Sequence, residues 1–152
     1  MIRIVTEKQD EICRDILNGL PEWFGIPAVI ERYAQDALKN TCLAYIQDNT
    51  AVGLCTIKTH TAIHTELALI AVRKDRQGQG VGTGLVKEAI AFLKQDNPQM
   101  KYLSVKTLDP DAGDPHYLKS YTFYKQTGFE DFEKFPGLWA PENPCLMMLQ
   151  RV

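Results

Sequence analysis

Serine is almost missing from this chain. Ser104 and Ser120 are the only two, and neither sits in a Gly-x-Ser-x-Gly turn, which excludes a serine hydrolase of that design. Cysteine is sparse too: Cys13, Cys42, Cys55 and Cys145 are widely spaced with no Cys-x-x-Cys unit. Neither a disulfide framework nor a zinc site is expected, and a reducing cytoplasm is the predicted compartment. Of the three histidines, His60 and His64 stand four apart but flank a predicted strand-to-strand turn rather than a helix face, so no metal site is expected. No apolar run reaches membrane-spanning length, and Met1-Ile-Arg-Ile-Val-Thr-Glu7 has no signal-peptide pattern, so no membrane contact is expected. Positive charge is not in excess. A net charge of -2 and a pI near 5.9 argue against a general nucleic-acid binder.

What is present fits one globular domain over residues 1–152, with 45% hydrophobic residues to build a core. Its most informative stretch runs from Val72 to Leu85, where an apolar strand turns through glycines into a helix. Thr65 to Val72 reads as a buried strand, apolar without a break from Leu67. From Val81 the apolar residues Leu85, Val86, Ala89, Ile90 and Leu93 fall at helical spacing. Between the two, Gly78, Gly80, Gly82 and Gly84 alternate where the helix begins. Unpaired N–H groups and the helix dipole favour an anion there, so the turn suits a phosphate or pyrophosphate. Arg73, Lys74 and Arg76 add positive charge beside it.

Two common phosphate loops fail on spacing. Counting Gly-x-Gly-x-x-Gly from Gly78 puts Thr83 at the third glycine, and counting from Gly80 puts Leu85 there. No acidic residue lies in the following strand to hold a dinucleotide's ribose. The nucleotide P-loop ends in Gly-Lys, a pair this chain lacks. What remains, Gln77-x-x-Gly80-x-Gly82, closely resembles the acyl-CoA pyrophosphate loop of the GNAT superfamily of N-acetyltransferases, whose pattern is Gln/Arg-x-x-Gly-x-Gly/Ala.

The rest of the chain reads in the order β-α-α-β-β-β-α-β-α-β-β. Ile2–Val5 is a strand, Glu7–Leu17 a helix with Thr6 as its N-cap, and Pro27 opens a second helix to about Lys39. Cys42–Gln47 and Ala51–Thr59 form a hairpin about Asp48-Asn49-Thr50. After the glycine turn and its helix come a strand at Tyr102–Lys106, a loop at Leu108–Pro115 and a helix from Tyr117 to Thr127 closed by Gly128. The last strands, Phe129–Phe132 and Cys145–Gln150, flank a predicted loop from Phe135 to Pro144. This is an α/β class with a mixed sheet. It is similar to the GNAT fold over nearly the whole chain, which implies a mostly antiparallel central sheet with helices on both faces. Glu7–Lys39 is the least family-like part.

The resemblance implies acetyl-CoA as the acyl donor and an amine as acceptor. On it, Gln77, Gly78, Gln79, Gly80, Val81, Gly82 and Thr83 hold the pyrophosphate, while Ile70 and Val72 offer main-chain hydrogen bonds to the pantetheine arm. Phe123-Tyr-Lys-Gln-Thr-Gly-Phe129 looks like the family's Tyr-x-x-x-Gly-Phe element, making Tyr124 the general acid for the leaving thiolate. The family often has Asn and Ala seven and four residues before that tyrosine; here Tyr117 and Ser120 stand there and take over the cofactor contact. An ordinary alkyl ammonium, with a pKa of about 10.4, must lose a proton before it attacks. Glu66 is the one carboxylate in the apolar strand and is similarly placed to the family's general-base glutamate; pairing with Lys58 or His64 is the packing alternative. For the acceptor, Glu22-Trp23-Phe24 and Trp139, Glu142 and Asn143 are equally compatible with cation binding and with packing. Three functions stay open: direct transfer to a small-molecule or peptide amine, protein N-terminal or lysine acetylation, and a non-catalytic acyl-CoA-binding domain. Homodimerisation also stays open.

Overall fold

A computed structural model describes residues 1–152. In chain order the elements are β1 (Ile2–Ile4), α1 (Gln9–Asn18), α2 (Pro27–Lys39), β2 (Thr41–Gln47), β3 (Thr50–Thr61), β4 (His64–Val72), α3 (Val81–Asp96), β5 (Tyr102–Leu108), α4 (Pro115–Gln126), β6 (Glu130–Ala140) and β7 (Asn143–Arg151). Short 3-10 turns at Lys74–Arg76 and Pro110–Ala112 precede α3 and α4. The seven strands lie in the order β1-β2-β3-β4-β5-β7-β6. The β1–β2, β2–β3, β5–β7 and β6–β7 pairs are antiparallel, and β4–β5 is parallel. No helix is long and apolar enough to cross a membrane. Residue contacts divide the chain into two units: Met1–Lys58 with Ala68–Pro98, and Thr59–Leu67 with Gln99–Val152.

In the first unit, helices cover both sheet faces. Cys13, Ile16 and Leu17 of α1 and Ile30, Ala34 and Ala37 of α2 recur at helical spacing. They bury against Cys42, Ala44 and Leu54. The neighbouring residues Tyr45 and Gly53 point the other way, toward α3. There a Cβ on Gly53 would lie 2.7 Å from Val81 Cγ1, and one on Gly84 would lie 3.3 Å from Ile2 Cδ1. Absent side chains therefore let the start of α3 sit close on the sheet. Asp48 and Asn49 take positive φ values of 50° and 61°, matching the predicted hairpin turn.

In this unit one helix start differs from expectation. Lys8, not Thr6, caps α1, in the left-handed region at φ 59° and without a side-chain hydrogen bond. Arg14 then ties α1 to α2, bonding Asp10 and Glu31 at 2.8 Å each. That guanidinium holds the Glu31 carboxyl down at about 2.

In the second unit, α4 starts at Pro115, two residues before the predicted Tyr117. The Asp114 carboxylate accepts from the N–H groups of His116 (2.9 Å) and Tyr117 (3.3 Å), and Pro115 fits the first helical position. The predicted loop Phe135–Pro144 is mostly strand, since β6 runs to Ala140 and β7 begins at Asn143. The register is irregular between Phe135 and Ala140, which spans Pro136 and Gly137. An edge strand tolerates this, because the N–H that proline lacks would not enter a second ladder.

The apolar stretch ending at Val72 is also less buried than its composition suggests. Thr65, Leu67, Leu69 and Ala71 are buried, while His64, Glu66, Ala68, Ile70 and Val72 are only partly so. The strand is covered fully on one face, so burial alternates with the pleat.

Candidate active site

The glycine turn is built almost entirely from main chain. Gly78 and Gly80 have φ values of 74° and 85°, a region where a side chain is strained, and a Cβ on either would meet nothing within 4 Å. Backbone conformation is therefore what requires glycine there, and the space above the turn is open. Gly80 caps α3 without a side-chain hydrogen bond, and the first helical bond runs from Gly84 N–H to Gly80 C=O. The N–H groups of Val81, Gly82 and Thr83 precede that bond and have no acceptor within the helix. The glutamines turn inward: Gln77 donates to the Val72 carbonyl at 3.1 Å and Gln79 to the Asp75 carbonyl at 3.2 Å. Their side chains brace the turn, leaving its amides to meet an anion.

The neighbouring cations are less available than their sequence suggests. Lys74 pairs with Glu22, Arg73 lies 3.6 Å from Asp75, and Arg76 bonds Asp75 at 2.9 Å and Gln47 at 3.2 Å. Glu22 is thus tied to Lys74, and Trp23 and Phe24 pack against the α1–α2 core, with Phe24 edge-on to Tyr33 at 5.6 Å. Trp139 is 48% exposed.

The β4–β5 ladder covers only His64–Glu66 and Tyr102–Ser104. Further along β4, the Arg73 N–H bonds Val52 of β3 at 2.8 Å. Strand amides alternate between edges, so the N–H groups of Ile70 and Val72 point away from β3.

The second unit builds its polar cluster from side chains. Glu66, on the partly open face of β4, has a side chain only 13% exposed. Its Oε1 lies 2.7 Å from His60 Nε2 and 3.3 Å from Lys106 Nζ. These partners replace the predicted Lys58 or His64. The His64 ring instead stacks on His60 (5.1 Å, 22°) and its Nε2 bonds the buried Ser104 hydroxyl at 2.7 Å. Burial, reinforced by the adjacent His60 ring, holds His64 below the usual imidazole range. A cavity of about 830 Å³ opens at His64, lined also by Tyr102, Phe132, Met147, Leu149 and Arg151. Sequence reading missed His60 and Lys106 as partners of Glu66. Hairpin geometry could have suggested His60, six residues away, but nothing local points to Lys106.

Tyr124 is buried in α4, its ring edge-on to Phe123 (5.5 Å) and Phe129 (5.8 Å). Phe123, expected in the core on another face, is only partly buried and touches that ring. Tyr117 and Ser120 lie seven and four positions before Tyr124, so the three share one side of α4.

Comparison with known proteins agrees with this architecture. No curated protein sequence matches the chain. Among solved structures, a protein assigned to the GNAT family from Desulfovibrio desulfuricans superposes with a TM-score of 0.82 at 16% identity, covering 99% of this chain and 98% of that one. A GNAT family acetyltransferase from Elizabethkingia anophelis, solved with acetyl-CoA bound, gives 0.72 at 19% identity over 100% and 97%. An aminoglycoside 6'-N-acetyltransferase complexed with coenzyme A gives 0.73 at 15% identity over 99% and 96%. These likenesses show the shared fold, and the sequence model of the acetyltransferase (GNAT) family matches residues 10–129. The chain belongs to the GNAT acetyltransferase family.

Proposed function

We propose that the protein transfers the acetyl group of acetyl-CoA directly to a primary amine of a small molecule or peptide. The observation that carries this reading is the turn at Gly78–Thr83, with open space over two left-handed glycines and helix-start amides without acceptors. A pyrophosphate supplies what those amides lack. The main chain of Ile70 and Val72 suits an extended pantetheine arm, which would add to the strand edge as a peptide does. Tyr117 and Ser120, on the Tyr124 side of α4, are the side chains offered to that arm. Coenzyme A bound in one structural neighbour and acetyl-CoA in another support the same donor.

In the reaction, the neutral amine attacks the thioester carbonyl, the C–S bond breaks, and acetyl passes to nitrogen. Glu66 takes the proton the amine must lose, and the Tyr124 hydroxyl protonates the departing thiolate. Four unpaired, buried thiols fit a reducing cytoplasm.

The test is release of free CoA, measured with acetyl-CoA across a panel of polyamines, aminoglycosides, amino acids and peptides. Amine-dependent release that falls sharply in Glu66→Gln supports transfer. Tight CoA binding without release to any amine overturns it in favour of a binding domain.

A further inference from the structure

The Glu66 carboxylate does not stand alone, because two nitrogens share one of its oxygens. Lys106 Nζ lies 3.3 Å from Oε1. His60 Nε2, 2.7 Å from the same oxygen, offers a proton captured there a better place to rest. An imidazole ordinarily binds a proton roughly 100-fold more tightly than a carboxylate. His60 is also the more open of the two, with a side chain 33% exposed against 13% for Glu66.

We propose that His60 is the positioning and relay residue of this site. It orients the Glu66 carboxylate and carries away the proton that Glu66 takes from the amine. The amine N–H bond breaks as an O–H bond forms on Glu66. With the ring as its Nδ1–H tautomer, that proton moves from the Glu66 O–H to the Nε2 lone pair; the imidazolium, hydrogen-bonded to the regenerated carboxylate, then gives one proton to water and returns to the Nδ1–H form. This inference rests on the acetyl-transfer reading.

The surroundings single out His60. On β4, the stacked His64 ring is bonded to Ser104 and is held toward its neutral form, so it adds no charge against a protonated His60. On β5, Tyr102 sits opposite His64 and Lys106 reaches Glu66, not His60. Lys58 stands two residues earlier on β3. Of the two imidazoles, only His60 contacts a carboxylate.

His60→Gln keeps a donor for Glu66 but cannot carry a proton. The wild type is expected to lose kcat/KM as pH falls through the imidazole range, and the variant to lose that limb. Its rate should drop about 100-fold, at the lower end of acid–base contributions, with CoA affinity by calorimetry unchanged. Added imidazole should restore His60→Gly, which no purely structural role predicts. A wild-type rate and pH limb in His60→Gln, beside a slow Glu66→Gln, would overturn the relay and leave acetyl transfer intact. A wild type that acetylates no amine would remove the acetyl-transfer reading and the relay with it.

Discussion

The turn at Gly78–Thr83 and the cluster around Glu66 prepare for charge in opposite ways. The turn uses main-chain amides held by two left-handed glycines, within one stretch of sequence. The cluster uses side chains from three strands, with His60, Glu66 and Lys106 meeting at one carboxylate oxygen. Main-chain amides neither titrate nor change rotamer, which suits an anion whose charge is constant. A proton has to be taken up and released, and that needs groups whose charge can change. The first region is therefore vulnerable to bulk and fixed charge, the second to loss of a single ionisable atom.

Substitutions can separate the two. The largest effect is expected from Gly80→Asp, which forces a side chain onto a backbone at φ 85° and sets a carboxylate against the bound phosphates. Like charges about 4 Å apart near a protein surface repel by about 4 kcal/mol, or about 1000-fold in affinity. Calorimetry with CoA measures it; a folded variant with wild-type affinity would remove the turn from the donor site. Next comes Tyr124→Phe, which keeps the ring packed between Phe123 and Phe129. Turnover should fall about 100-fold, the low end for a general acid because a thiolate already leaves fairly well, with CoA affinity little changed. Full turnover with chemistry rate-limiting would leave the tyrosine as packing only.

Stability sharpens the contrast further. Gly53→Ala places a Cβ 2.7 Å from Val81 Cγ1 and 3.1 Å from Leu85 Cδ1, displacing the start of α3. A loss of about 1–3 kcal/mol is expected from such overpacking, read from urea unfolding. Gly84→Ala meets the tip of Ile2 at 3.3 Å and the Tyr45 ring edge at 3.4 Å and gains helix propensity, so it should change stability by less than about 1 kcal/mol. The smallest effect is a pH dependence. His64 is held below its ordinary value, so the unfolded chain binds the extra proton more readily. Its contribution is present above the ordinary imidazole range and is lost as pH falls through that range and the lowered folded value. Urea midpoints should decline less steeply in His64→Gln than in the wild type between about pH 7 and pH 5.

Local chemistry made much of the fold legible. Pro27 at the start of α2, Asp48-Asn49 in its hairpin and the glycines before α3 each act through their own φ values or missing N–H groups. Where expectation failed, the deciding partner lay elsewhere. The stretch Phe135–Pro144 reads as loop because proline and glycine break strands, yet β7 supplies a ladder on one side and the edge excuses the other. The cations after β4 read as positive charge beside the turn, yet Lys74 is taken by Glu22, 52 residues away.

By itself the sequence determined the succession of strands and helices, the backbone shape of the phosphate turn and the placing of a carboxylate in an apolar strand. These depend on dihedral preference, hydrophobic period and spacing, which act over a few residues. Only the tertiary structure decided which groups Glu66 meets. A parallel crossover brings Lys106 within 3.3 Å from 40 residues away, and the hairpin turn brings His60 to the same oxygen. The strength of a charge's interactions depends on distance in space and burial, and neither is written in separation along the chain.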